Sequence, residues 1–106
     1  MPKYLITASY SAEGLQGLQK DKASGRILAA TAAIEGLGGK VECLYFALGE
    51  DDIYGIVELP DHVTAAAAGI AASATGLIRT QTTVLMTAEE VDQALAKRVS
   101  YRAPDR

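Results

Sequence analysis

The stretch LYFALGEDDIYGIVELPD, from Leu44 to Asp61, constrains the fold more than any other part of the chain. Two runs of aromatic, aliphatic and β-branched residues flank a turn made of Gly49, Glu50, Asp51 and Asp52, which is the pattern of a β-hairpin. The second run stops at Pro60-Asp61. Proline cannot donate to a sheet ladder and aspartate is a strong helix N-cap, so a helix is expected to begin where the second strand ends. One helical pattern precedes this hairpin and one follows it, giving the order β-α-β-β-α-β. That order predicts an α+β, ferredoxin-like sandwich: a four-stranded antiparallel sheet with two helices on one face.

The flanking elements follow from periodicity. Residues 3–10 alternate with period two, Tyr4, Ile6, Ala8 and Tyr10 on one face, and read as a first strand. Ser11 to Gly14 reads as a turn or a first helical turn capped by Ser11. A longer helix is expected from about Lys22 to Leu37, where Ala23, Ile27, Ala30, Ile34 and Leu37 form one apolar stripe, with Gly38-Gly39 ending it. The hairpin strands are expected over about Lys40 to Leu48 and Asp52 to Leu59. The next helix, about Asp61 to Thr75, is nearly all alanine and glycine, which suits close approach to a sheet. Leu77 to Met86 is a fourth strand, rich in Thr, Val and Ile. Thr87 and Glu90 have the spacing of a capping box and open a short last helix.

Length and charge limit the function. The chain has 106 residues, enough for one domain, here 1–97, with 98–106 expected as a loose tail. Net charge is -3 with both signs mixed, and no basic stripe interleaved with aromatics appears, so nucleic acid is not an expected partner. The alanine-rich run Ala65 to Ala74 is too short and too weakly apolar to span a bilayer, so no membrane partner is expected either. The first residues enter a strand pattern directly, so no signal peptide is expected. Cys43 is the single cysteine, which excludes an internal disulfide and fits a reducing compartment. The expected location is the cytoplasm.

No cofactor or metal is expected. Gly36, Gly38 and Gly39 close a helix instead of opening one, unlike a dinucleotide fingerprint. There is no nucleophile elbow and no Cys-x-x-Cys pair. His62 is the single histidine and reads as a surface residue in a first helical turn. Glu50-Asp51-Asp52 lacks the ligand spacing of an EF-hand loop. Cys43, on a strand with no evident base nearby, reads as a small hydrophobe.

The strands carry apolar groups on both faces: Tyr4 and Ile6 against Leu5, Leu44 and Phe46 against Cys43 and Tyr45, Ile53, Val57 and Leu59 against Tyr54 and Ile56. Two helices cover one face of such a sheet, and a face left to water would alternate more cleanly. The expectation is a homodimer packing sheet to sheet, a dimeric α+β barrel, with higher oligomers allowed.

Several segments together resemble a known family. Tyr4-Leu5-Ile6, Glu13-Gly14-Leu15, Lys20, Arg26, Leu37-Gly38-Gly39-Lys40-Val41, Gly49 to Asp52, Glu58 to Asp61 and Arg79-Thr80-Gln81-Thr82 are similar, in order and spacing, to the GYD domain family. The resemblance covers roughly residues 3–90, most of one domain. Gly49 and Asp52 agree with the name motif, while Asp51 stands where its tyrosine would be. The resemblance implies a small ferredoxin-like protein of unsettled function.

In a sheet of order 4-1-3-2, the end of the first strand, the hairpin turn and the start of the fourth strand meet at one edge. Tyr10, Lys20, Arg26, Asp52 and Arg79, with Lys22 and Asp51 nearby, are therefore candidate contacts for a small anionic ligand, an arginine providing the fork for a carboxylate or phosphate. The plainer reading, and the one favoured of the two, is an ion-pair cluster, Asp51 or Asp52 with Arg79 and Lys20, that holds the turn. Three functions stay open: a homodimeric binding or sensing module, a cofactor-independent enzyme using Tyr10, Tyr45, His62 and Arg79, and a structural or interaction protein.

Overall fold

A computed structural model of the chain describes residues 1–105. The elements run β1 (Lys3–Tyr10), α1 (Ala12–Gly36), β2 (Lys40–Phe46), β3 (Ile53–Glu58), α2 (His62–Ser73), β4 (Ile78–Leu85) and α3 (Ala88–Ala96). The strands form one sheet of order β2-β3-β1-β4 with every neighbouring pair antiparallel. This is the ferredoxin-like arrangement that the hairpin and its flanking helices imply. β1 matches its sequence pattern, β2 stops two residues early, and β3, α2 and β4 are one or two residues shorter at each end, where capping and turn residues take over.

The first helix differs most from expectation. The longer helix does begin at Lys22, a break with φ 66° and ψ 164° that opens the segment up to Gly36, but the stretch before it, expected as a turn or single helical turn, is already helix from Ala12. Two contacts at its start explain the early onset. The Ser11 hydroxyl accepts from the Gly14 N–H, closing the cap, and Gly14 seats against β4's entry, where any added Cβ would fall 2.0 Å from the Leu77 carbonyl oxygen. The far end closes as a Schellman motif: Gly38, at φ 81°, donates to the Glu35 carbonyl and Gly39 to that of Ile34.

The core lies between the helices and the sheet. Tyr4, Ala8, Ile53, Val57, Leu59 and Ala65 are buried, with Ile6, Ile34 and Val41 packed against them. Asp61 caps α2, its carboxylate accepting from the Thr64 hydroxyl at 2.7 Å and the Thr64 N–H at 2.8 Å. Thr87 and Glu90 exchange both bonds of a capping box at the start of α3. Nevertheless α3 buries no residue, and Val91 and Leu95 are exposed on it.

Pleating and register place Leu5 opposite Ile56, and Ile56 opposite Cys43, across the sheet face away from α1 and α2. Tyr54 and Tyr45 lie opposite each other on that same face and are exposed. Lys3 reaches across its rim to Glu42, Nζ to Oε1 2.6 Å. A register shift between Val41 and Cys43 marks a bulge in β2, after which Leu44 and Phe46 point to the helix side. No helix among the described residues is long and apolar enough to cross a membrane.

Candidate functional site

A cleft of about 450 Å³ opens between the two helices and the sheet. Its floor is the helix-facing side of the strands, including Ile6, Phe46 and Ile53, and its walls include Ala30 and Ala33 of α1 and Ala68 of α2. The origin is the alternation of the strands combined with the small side chains of α1: alanine at those positions leaves space that leucine would fill. The volume lies within the range of small-molecule sites, about 300–1,000 Å³.

Charge enters the lining through Asp21 and Arg26. Arg26 Nη1 donates to Asp21 Oδ2 at 3.5 Å, both side chains being partly exposed. This pair spans the break at Lys22, whose backbone lies in a region that glycine almost monopolises. Residues five apart in an unbroken helix point about 140° from one another. The break is thus what lets these two side chains meet. Such a long, partly solvated pair contributes about 0–1 kcal/mol, so it is easily exchanged for another partner.

The sheet edge near the hairpin turn is built differently. The Asp52 carboxylate accepts the Tyr10 N–H at 2.8 Å, and the Asp52 N–H donates to the Ala8 carbonyl at 2.8 Å. The Ser9 hydroxyl donates to Asp51 Oδ1 at 2.9 Å. The turn is therefore held to β1 by backbone and hydroxyl bonds. The favoured ion-pair cluster does not form: the ion pairs among the described residues are Lys3–Glu42 and Arg26–Asp21, and neither Asp51 nor Asp52 bridges to Arg79 or Lys20. A carboxylate close to a free backbone N–H gains a charge-assisted bond without ordering a long cationic side chain, which is why the backbone wins. A shallow depression beside this edge is lined by Ser9, Ser11, Ser73 and Arg79, among others.

Of the residues singled out from sequence, Tyr10 and Arg26 line the large cleft. Arg79 lies opposite Ser9 on the other face of the sheet, and Lys20 is exposed on α1 outside the cleft walls. Asp52 is engaged with the β1 backbone. Among the enzyme candidates, Tyr45, His62 and Arg79 lie outside the cleft lining.

His62 is exposed in the first turn of α2, as its position after Asp61 suggests, but it is not solitary. Its Nδ1 is 2.6 Å from the hydroxyl of buried Tyr4, and the two rings meet edge to face at 5.7 Å. The pair satisfies the one polar atom of a tyrosine that is 1% exposed. Fifty-eight residues separate the partners, so no local pattern announces them. Asp21 was also hidden, because it precedes the helix expected from about Lys22 and no local pattern joins it to Arg26. Cys43 is a half-buried free thiol. Among the described residues, no group of three or more His, Cys, Asp or Glu could hold a metal ion.

Comparison with known proteins identifies a family and no individual relative. No curated protein and no solved structure gives a significant match. The family model for the GYD domain matches residues 4–95, from the first core tyrosine to the last helix, and the chain belongs to the GYD domain family.

Proposed function

We propose that this GYD protein is a homodimeric cytoplasmic module that binds or senses a small anionic ligand, held in the cleft beneath α1 with Arg26 as its cationic partner. The observation that carries this reading is an apolar cleft with a guanidinium in its lining whose present partner is weakly held. An arginine fork matches a carboxylate or phosphate in a plane, and a ligand oxygen can replace the 3.5 Å contact to Asp21 with a shorter one. Tyr10 also stands in the lining. Lys20 and Arg79, outside the cleft, act through the field that draws an anion in. The dispersal of Tyr45, His62 and Arg79 away from the cleft favours binding over turnover.

The dimer rests on the uncovered sheet face. Leu5, Cys43 and Ile56 form an apolar row, with Tyr45 and Tyr54 beside it, where a solvated antiparallel sheet would carry polar side chains. A second copy presenting the same row is self-complementary about a twofold axis. A lone free cysteine suits a reducing cytoplasm.

Native mass spectrometry of protein taken gently from its expression host tests both parts. The expected result is a dimer carrying a reproducible added mass that Arg26→Ala loses, and a monomer for Ile56→Glu. A wild-type monomer would remove the sheet-packed dimer. An adduct unaffected by Arg26→Ala would remove the proposed seat.

A further inference from the structure

We infer that the ligand of this cleft is an amphipathic monocarboxylate, an acyl chain or small ring system ending in one carboxylate, which takes Arg26 from Asp21 as it binds. The inference rests on the binding reading above and names the chemical class. Three features of the cleft carry it.

The first is the balance of the lining. Ile6, Leu18, Val41, Leu44, Phe46 and Ile53 present hydrocarbon over most of the surface, with Tyr10 and threonines on the remainder. A phosphate, a sugar or a short polar acid would lose its hydration there without gaining enough hydrogen bonds in return. A hydrocarbon body gains from the same transfer, and about 450 Å³ holds a body of medium size.

The second is the charge. Arg26 is the cationic side chain in the lining, and Asp21 is the anionic one. One guanidinium, already sharing itself with one carboxylate, specifies one carboxylate from the ligand. A dianionic head group would face Asp21 with no second cation in the lining to balance it.

The third is the break at Lys22. The residue between the ion pair's halves has φ 66° and ψ 164°, a strained geometry for a lysine. Ala12 to Asp21 and Ala23 to Gly36 are thus two helical segments joined at one residue. The Asp21 side chain, exposed beside that break, can turn from Arg26 without disturbing either segment, which lets a ligand carboxylate take its place on the fork.

The test is binding of decanoate to the full chain, measured by calorimetry, beside decanol, acetate and inorganic phosphate. Decanoate is expected to bind at least about tenfold more tightly than the other three, the ratio that loss of a charge-assisted bond or of the apolar body produces. Asp21→Asn is expected to tighten decanoate binding several-fold by freeing the fork. Arg26→Gln should weaken it by about tenfold or more. Amide chemical shifts in the unmodified protein provide a reading that needs no variant to fold, and should move at Ala30, Ala33 and Lys22.

Decanol binding as well as decanoate would overturn the carboxylate. Acetate or phosphate binding as tightly as decanoate, with Arg26 dependence, would overturn the apolar body and leave the anionic-ligand reading standing. Shifts confined to Leu5, Ile56 and the opposite sheet face would overturn the cleft as the seat. Absence of binding by decanoate, acetate and phosphate alike would remove both readings together.

Discussion

The two helices on the sheet use small residues to opposite ends. In α2 they bring the helix down: Ala65 is buried, and a Cβ built on Gly69 would come within 3.3 Å of Thr80 Oγ1. The Thr80 hydroxyl even reaches the Gly69 carbonyl, at 3.4 Å. In α1 they leave a space. That helix is anchored at its two ends, by Gly14 against the Leu77 carbonyl and by Ile34 against the core, while Ala30 and Ala33 between them face the cleft. A small side chain closes a gap only if the backbone can follow it inward. The anchors of α1 prevent that, and the absent side-chain volume becomes cavity. The cleft between the helices, lined on the α2 side by Ala65, Ala68, Gly69 and Ala72, is therefore widened chiefly by the side-chain volume that α1 lacks.

The largest way to break this contrast is to dislodge an anchor. Gly14→Ala drives a methyl into the Leu77 carbonyl and should cost about 3 kcal/mol in denaturant unfolding. A loss below about 1 kcal/mol would mean that α1 is free to lift at its start. A matched pair of enlargements then sharpens the comparison. Gly69→Leu should cost about 2 kcal/mol because its side chain starts 3.3 Å from Thr80 Oγ1. Ala30→Leu should add about 1 kcal/mol by filling the cleft, and should abolish decanoate binding. Equal destabilisation by both would show that the two helices are packed alike. A smaller effect is expected at the break. Lys22→Gly removes the strain of a positive-φ lysine at some cost in unfolded-chain entropy, for a net gain of about 1 kcal/mol by thermal unfolding.

The smallest effect concerns acid. The Thr64 hydroxyl, and then its N–H, hold the Asp61 carboxyl below its ordinary value by bonding to the ionised form. A carboxyl depressed on folding contributes stability above its unfolded pKa, and loses it as pH falls through the folded one. Thermal midpoints should therefore drop below about pH 4, and drop less steeply in Asp61→Asn. Parallel acid limbs in the two proteins would show that this cap carries no such linkage. Against the cleft, the test separates a local cap from long-range packing, since Asp61 lies outside the cleft lining.

Much of the architecture was written locally. The hairpin between Phe46 and Ile53, the stop at Pro60 and the caps at Ser11, Asp61 and Thr87 are each decided within a few residues, because turn geometry and capping bonds are short-range. The apolar occupancy of both sheet faces was legible for the same reason, alternation being a property of the strand alone. The first segment of α1 was less so. Its pattern before Lys22, with Gly14 and Gly17, looks weak in isolation, and it is helical because Gly14 finds the Leu77 carbonyl sixty-three residues later in the chain.

The candidate site divides along the same line. Sequence by itself determined that Tyr10, Asp52 and Arg79 share an edge of the sheet, since strand order dictates which ends meet. The tertiary structure decided what those neighbours do. Asp52 went to the Tyr10 N–H, Arg79 to the opposite face, and Arg26 to Asp21 in the cleft lining. It also joined Tyr4 to His62. The physical reason is range: backbone conformation responds to its nearest residues, whereas a side chain's partner and an empty volume depend on where distant backbones come to rest.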